Sequence, residues 1–257
     1  MKHNVGKAQK LPGATLFCIA ALLSIVSLPM YAQDAAAIMA EIDAKQNSGT
    51  SQSRMIMRIF PDRANPADFR EMRVEGYGEG SEKSYMEFVA PAAIRGLRVL
   101  EIDNDTRVFF PSTGRVRRIT GNQQGGSVGG VGGDFSYEDM GSGTYIRDYT
   151  FVLESQEATH YRIRGVPTDR NSSYTHLIFT VERSTMRVVQ TDYFTAKDGH
   201  QKTLFQSEFR VIDGVEMPMR LEMVNLIKNQ ATMVEIVAVR YNITVDPKYF
   251  SPTRFFN

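Results

Sequence analysis

A serine among glycines is the residue of this chain whose surroundings most resemble a catalytic motif. Ser127 is the centre of GGSVG at positions 125–129, which matches the string G-x-S-x-G. In hydrolases this string places a nucleophilic serine on a sharp turn between a strand and a helix. Here it lies inside a glycine-rich run, Gly121–Gly133, and no helical pattern follows it. A lipid ester hydrolase that uses Ser127 is therefore an alternative hypothesis rather than the main one.

The sequence contains none of the usual metal or phosphate motifs. There is no H-E-x-x-H string and no G-x-x-x-x-G-K-[ST] string. Acidic residues at positions 103, 105, 134, 138 and 139 are a conceivable calcium site. Asp103 and Asp105 more simply flank a hairpin turn, and Ser136 with Asp139 fits a weak capping box. We predict no cofactor, no metal and no catalytic residue, and hence a protein that is not an enzyme.

Three arginines precede the glycine-rich run in one strand, with Arg115 and Arg117 on one face and Arg118 on the other. They either mark an anionic partner or protect a sheet edge, since charge discourages pairing with a second sheet. If the glycine-rich run folds back, the arginines would pair with Glu138 and Asp139 and fix its far end.

The first 32 residues have the pattern of a secretory signal peptide. Three lysines precede a mostly apolar run, Leu11–Leu28, and the segment ends on the small residue Ala32. This order is typical of a cleaved signal. We predict that residues 1–32 are removed and that residues 33–257 form a single domain. No later apolar run is long enough to span a membrane, so no integral span is expected after cleavage.

The mature chain has little to attract nucleic acid. The full sequence has 30 Lys and Arg against 29 Asp and Glu, and loss of the three signal lysines leaves 27 basic residues and a formal charge of −2. Such a balance creates no strong field for nucleic acid or an anionic membrane. Cys18 is the only cysteine and lies in the signal, so the mature chain has no disulfide and no thiol ligand. A ligand would be held by shape and apolar contact.

One helix and a long series of strands are predicted. Asp34–Asn47 is the helix, with Asp34 as its cap and Ser48-Gly49 at its end. Ile38 and Ile42 lie on an apolar stripe that must pack on another element. From residue 53 onward apolar and polar residues alternate, which predicts a meander of roughly ten or eleven antiparallel strands joined by short hairpins.

Methionine is unusually frequent in the predicted strands, although it is not a favoured strand residue. Plain sheet core is one interpretation. The other is a deformable cavity, because the flexible, polarisable methionine side chain adapts to variable apolar shapes. The residues predicted to line this cavity are Met55, Met57, Met86, Phe88, Met217, Met219, Leu221 and Met223.

The segment after the glycines carries a family resemblance. The string Gly133-Asp134-Phe135-Ser136-Tyr137-Glu138-Asp139 resembles the longer LolA-like proteins, which are outer-membrane lipoprotein-sorting proteins. The five residues Asp134, Phe135, Tyr137, Glu138 and Asp139 are called the acidic-aromatic motif below. Supporting similarities cover nearly the whole mature chain: Pro91, Gly96-Leu97, Phe109-Phe110-Pro111, Arg115–Ile119, Pro218–Met223, Tyr241-Asn242 and Phe250.

The resemblance implies a mainly β (α+β) fold, an antiparallel half-open β-barrel with an N-terminal helix and short helices covering the concave face. It implies a periplasmic carrier that binds the acyl chains of a lipid or lipoprotein for outer-membrane trafficking. Some longer relatives resemble accessories of lipid-exporting transporters of the inner membrane, so a scaffold docking on such a transporter is an alternative. The predicted lid over the cavity combines the helix with the glycine-rich run, through Ile38, Ile42, Gly129, Gly130 and Gly132.

Overall fold

The structure, a computed structural model, describes Met1 and residues 28–46, 48–140 and 143–257, without the side chains of residues 28–34 and 122. The predicted signal peptide lies almost wholly outside the described residues. The N-terminal helix, α1, spans Leu28–Gln46. It therefore begins six residues before Asp34, and the prediction that Asp34 caps it is wrong, because the preceding residues 28–33 continue the helical backbone.

In the described part of the chain, thirteen strands and several short helices follow α1. The first six strands are β1 (Thr50–Phe60), β2 (Arg70–Glu79), β3 (Lys83–Ala90), β4 (Arg98–Ile102), β5 (Asp105–Phe110) and β6 (Arg115–Ile119). The other seven are β7 (Tyr149–Gln156), β8 (His160–Pro167), β9 (His176–Glu182), β10 (Arg187–Thr195), β11 (Gly199–Ile212), β12 (Val215–Asn225) and β13 (Gln230–Tyr241). Helix α2 is Tyr145–Asp148, and 3-10 turns span Gly121–Gln123, Val128–Gly130, Glu138–Met140 and Pro247–Phe250.

All thirteen strands belong to one antiparallel sheet, which confirms the predicted class of fold. The strand order is β6-β5-β4-β3-β2-β1-β13-β12-β11-β10-β9-β8-β7, and the sheet does not close. Strand β1 pairs with β13, for example Met57 with Val234. The chain thus leaves the sheet at one edge, β6, and re-enters at the other, β7. The connection, residues 120–140 and 143–148, is called the crossing segment.

The main core lies on the concave face of the sheet, under α1 and the crossing segment. Alternation along β1 is as predicted: Met57 and Ile59 are buried there, while Arg58 on the opposite face pairs with Glu71 at 3.0 Å and Glu235 at 2.8 Å. Residues Ala35, Met39 and Ile42 of α1, and Val128 and Val131 of the crossing segment, complete this core.

The C-terminal segment packs on the opposite face. The Asp246 side chain accepts a hydrogen bond from Lys248 N at 2.9 Å and caps the turn Pro247–Phe250. That turn stacks Tyr249 on Tyr77, with ring centroids 4.2 Å apart. The aromatic contacts fix the chain terminus to β2 and β3 and leave the concave face to α1 and the crossing segment.

Candidate functional site

The crossing segment is packed down onto the concave face. Val128 and Val131 are buried in the core between glycines. Gly129 has a φ of 61°, and a Cβ at this position would overlap the side chain of Leu97. Its N–H donates to the Tyr137 hydroxyl at 2.8 Å. Glycine at position 129 is therefore required both by its backbone conformation and by the close approach of the segment to the sheet.

The acidic-aromatic motif begins with a buried carboxylate. Asp134 is 6% exposed. Thr232 on β13 donates to Asp134 Oδ2 at 2.8 Å, and Asp134 N donates to the same hydroxyl at 2.9 Å. Burial raises the pKa of the Asp134 carboxyl, and the hydrogen bond from Thr232 opposes that shift. This pair of bonds joins the crossing segment to the middle of the sheet.

A buried ion pair holds the end of the motif. The Lys202 ammonium contacts the Asp139 carboxylate, and the two side chains are 5% and 1% exposed. The Tyr174 hydroxyl donates to Asp139 Oδ1 at 2.7 Å, and Ser136 N donates to Oδ2 at 2.6 Å. Lys202 Nζ also lies 5.2 Å from the ring centroids of both Tyr174 and Tyr193. The carboxylate and the ammonium are thus both compensated inside the protein.

The predicted pairing of the arginines with the motif is wrong. Arg118 pairs with Asp105 of the neighbouring strand, at 2.7 Å, while Arg115 and Arg117 are exposed. Because β6 is an edge strand, its arginines remain at the rim, and the motif takes its cation from Lys202 on β11. The sequence does give one indication of this role for Lys202. Its charge lies on the same strand face as the buried Leu204, and a charge on a buried face requires a partner.

The rest of the motif is fixed by local hydrogen bonds. The predicted capping box is confirmed, since Asp139 N donates to Ser136 Oγ at 3.3 Å in return. Glu138 accepts from Ser173 N at 3.0 Å and from the Ser172 hydroxyl. The motif therefore reaches the β8–β9 connection as well as the floor of the barrel.

A cavity of about 290 Å³ lies between α1, α2, the motif and strands β7 and β9 to β12. The apolar part of its wall is Phe135, Leu177, Phe179, Leu204 and Leu221. The polar part is Asp43, Gln46, Glu138, Asp139, Thr144, Tyr145, Asp148, Tyr149, Thr191, Tyr193 and Gln206, with Gly143 beside them. Pattern reasoning on the sequence did not single out the aromatic wall of this cavity.

Three aromatic rings of the cavity wall form a cluster with Phe151, which lies behind them in the core. The ring centroid of Phe179 lies 5.3 Å from that of Tyr145, 5.8 Å from Tyr149 and 6.1 Å from Phe151, all with edge contacts. Gly165 leaves room for this arrangement, because a Cβ there would lie 2.6 Å from the Phe179 ring. These edge contacts fix the orientation of the wall.

The phenols of the cavity stay neutral. Burial raises the pKa of Tyr145 to about 12. Burial, and then the charges of Glu138 and Asp139, raise the pKa of Tyr149 far above its usual range. Burial followed by Asp139 does the same for the pKa of Tyr193. At neutral pH these hydroxyls therefore act as neutral polar groups rather than as acids.

The eight residues predicted to line the apolar cavity lie in different parts of the structure. Leu221 lines the cavity. The packed core includes Met57, Met86, Phe88 and Met223, with Met55 against its border. Met217 accepts a hydrogen bond from the Tyr241 hydroxyl at 2.8 Å, and Met219 is buried outside the main core.

The predicted lid residues lie over the same face. Ile42 is buried and Ile38 half-buried in α1. Gly130 and Gly132 have φ values of 68° and 82°, and the Gly132 carbonyl accepts from Gln230 Nε2 at 2.7 Å. The helix and the glycine-rich run are thus both seated on the sheet in this state.

Ser127 is not arranged as a nucleophile among the described residues. Its hydroxyl is buried and has no hydrogen-bond partner there. A pocket of about 90 Å³ beside it is lined by Asp134, Lys202, Asn225 and Lys228, among other residues, and includes no histidine from the described chain. The Ser–His arrangement of a catalytic triad is therefore not formed in this pocket by the described residues.

In the described ranges of the chain, no group of three or more His, Cys, Asp or Glu side chains is able to hold a metal ion. Within the same ranges, no helix has both the length and the apolar character needed to cross a membrane.

The architecture is that of the LolA-like proteins. A DUF1329 family protein from Desulfovibrio piger superposes with a TM-score of 0.78 at 22% identity, over 87% of this chain and 98% of that one. A domain from Vibrio parahaemolyticus described as an outer membrane lipoprotein-sorting protein domain gives 0.78 at 21%, over 88% and 100%. A LolA superfamily protein from Nitrosomonas europaea gives 0.71 at 21%, over 85% and 98%.

The family itself follows from the sequence match. A family model described as "Uncharacterized protein" matches residues 80–255, which is more than half of the chain, and the chain belongs to that family. No curated protein matches the sequence.

Proposed function

We propose that the protein is a periplasmic carrier that binds the acyl chain of a lipid or lipoprotein for outer-membrane trafficking. The observation that carries the proposal is the cavity of about 290 Å³ between α1, α2 and the concave face. Phe179, Leu204 and Leu221 give it an apolar wall. Each buried methylene contributes roughly 0.8 kcal/mol, so even a partly enclosed chain is held without a charged anchor.

The size of the cavity suggests a closed state. Ligand pockets usually have volumes of about 300–1,000 Å³, so this cavity is at the small end. We propose that α1 and the glycine-rich run move aside during loading. The methionine-bearing face of the sheet, which continues from Leu221 to Met223 and Met57, would then join the cavity and adapt to the cargo.

The proposal also includes export of the protein to the periplasm. Residues 1–32 act as the signal peptide, and residues 33–257 are the carrier. Cleavage after Ala32 would cut within α1 as it stands in the full chain and leave Gln33 as the first residue of the mature helix. The fold is shared with a domain described as lipoprotein-sorting, which supports this assignment of compartment and cargo.

Native mass spectrometry of protein purified from the periplasm without detergent tests the carrier. We expect a mass corresponding to residues 33–257 together with a bound acyl lipid. The Leu221→Trp variant should carry several-fold less lipid, because the larger side chain occupies the cavity. Leu226→Trp, at a position that is 44% exposed, is the matched control and should carry lipid like the unmodified protein.

If the purified protein contained no lipid, this result would contradict the proposed carrier function. It would favour the alternative in which the protein is a scaffold on a lipid-exporting transporter of the inner membrane. Equal lipid occupancy in Leu221→Trp and the unmodified protein would show that the lipid lies elsewhere.

Locking the glycine-rich run should prevent loading. A Cβ at Gly125 would lie 3.1 Å from the Cβ of Ser173, close to the roughly 3.5–4.5 Å of a disulfide. Oxidised Gly125→Cys/Ser173→Cys protein is expected to take up no lipid until it is reduced, since the lid cannot open. The unmodified protein under the same oxidant is the control, because residues 33–257 contain no cysteine. Uptake that is unchanged by oxidation would exclude this run from the lid.

A further inference from the structure

The charge balance of the cavity is the starting point. Four carboxylates line it, and two of them are compensated by basic partners. Asp139 pairs with the buried Lys202, and Asp148 pairs with Arg147 at 2.8 Å. These two pairs contribute little net charge to the cavity.

The other two carboxylates, Asp43 and Glu138, have no such partner. Asp43 accepts the N–H groups of Tyr145 and Ile146, both at 2.9 Å, and within the described residues Glu138 accepts from Ser172 and Ser173. Among the described residues, no lysine or arginine is within ion-pair distance of either carboxylate. Two negative charges therefore face a cavity that is partly shielded from water.

Aromatic rings surround the same space. Tyr145, Tyr149 and Tyr193 line it, and a cation over such rings is attracted by their negative faces. Lys202 already uses this attraction, with its ammonium 5.2 Å from the Tyr193 ring. Tyr193 is 7% exposed, so its ring is a largely buried part of the cavity wall.

From these contacts we infer that the cargo carries a positively charged amine or quaternary ammonium group on its apolar body. This inference rests on the proposed carrier function and specifies its substrate class. The cation lies among the tyrosines and the carboxylates of Asp43 and Glu138, and the apolar body lies against Phe179 and Leu221.

Asp43 also borders a second cavity. This cavity, of about 250 Å³, shares Asp43, Gln46, Gly143 and Thr144 with the first. Its other lining residues are serines, glycines and Lys83, whose ammonium pairs with Glu79 at 2.6 Å. Because this wall includes no hydrophobic residue, the apolar body of the cargo stays in the first cavity.

Calorimetric titration with three ligands of equal chain length tests the inference. The probes are decylamine, decanol and decanoate at neutral pH, which present a cationic, a neutral and an anionic head on the same tail. We expect decylamine to bind at least about tenfold more tightly than decanol, and decanoate to bind more weakly than both.

Removing the two charges should remove this preference selectively. In Asp43→Asn/Glu138→Gln protein we expect decylamine to lose about tenfold or more in affinity, while decanol is unaffected. The matched control is Glu154→Gln/Glu157→Gln, which removes two charges at exposed positions and should keep the ligand order. Unchanged decanol binding also verifies that the cavity variant is folded.

The possible outcomes distinguish a failure of the cationic-cargo inference from a failure of the proposed carrier function. Equal affinities for all three ligands, or tightest binding of decanoate, would overturn the cationic cargo and leave the acyl carrier in place. Failure of all three to bind would overturn both. The ligand order in the unmodified protein decides the question even if the double variant does not fold.

Discussion

Replacing Lys202 with methionine is expected to lower the free energy of unfolding by about 3–5 kcal/mol, because the remaining partner of a buried ion pair is left uncompensated. Lys202 and Asp139 are 5% and 1% exposed, so water reaches neither charge. Asp139→Asn should have a cost of the same order, since it leaves the ammonium unpaired. Urea unfolding monitored by circular dichroism measures both losses.

The double variant Lys202→Met/Asp139→Asn should recover much of the stability, because it contains no buried unpaired charge. Asparagine also keeps an oxygen for the Ser136 N–H. The exposed pair Arg164 and Glu154, at 2.6 Å, is the control, and removing either partner should cost no more than about 1 kcal/mol. Losses that simply add in the double variant would show that the two charges do not interact.

This ion pair is also the part of the site that sequence reasoning could least predict. The strands follow from alternation, which each strand displays within its own residues. The partner of Asp139 lies 63 positions away on β11, and nothing local selects it over the arginines of β6. Only the strand order, which puts β6 at the far edge, decides between them.

The cavity, too, could be predicted only in part from the sequence. An apolar strand face predicts which residues point inward, and Met57, Met223 and Leu221 do so. It does not predict where the layer above the sheet leaves a gap. That gap depends on the positions of α1, α2 and the motif, and so Leu221 faces open space while Met223, two residues later, is fully packed. The start of α1 differs from the predicted start for a related reason. A capping residue type at Asp34 does not prevent the preceding residues from continuing the helix.

Phe179→Ala is the second substitution with a large expected effect. Phe179 is 1% exposed and is the centre of the cluster formed by Tyr145, Tyr149 and Phe151. Truncating a buried phenylalanine usually costs about 3–5 kcal/mol, and the cost rises with the space left behind. Here the space is bordered by the existing cavity and by Gly165, neither of which supplies atoms to refill it. We expect a loss in the upper part of that range by urea unfolding.

Phe205→Ala is the control for this substitution, because Phe205 is 41% exposed and should change stability by no more than about 0.5 kcal/mol. If Phe179 separates the cargo space from the core, decanol should stabilise the Phe179→Ala protein more than the unmodified one, since a ligand that binds only the folded state stabilises it by mass action. A small loss on truncation, with no added response to decanol, would mean that the ring is dispensable both to the core and to the cavity wall. A large loss that decanol partly restores would instead make Phe179 the boundary between folding and cargo binding, because the same ring contacts the core on one side and the ligand space on the other.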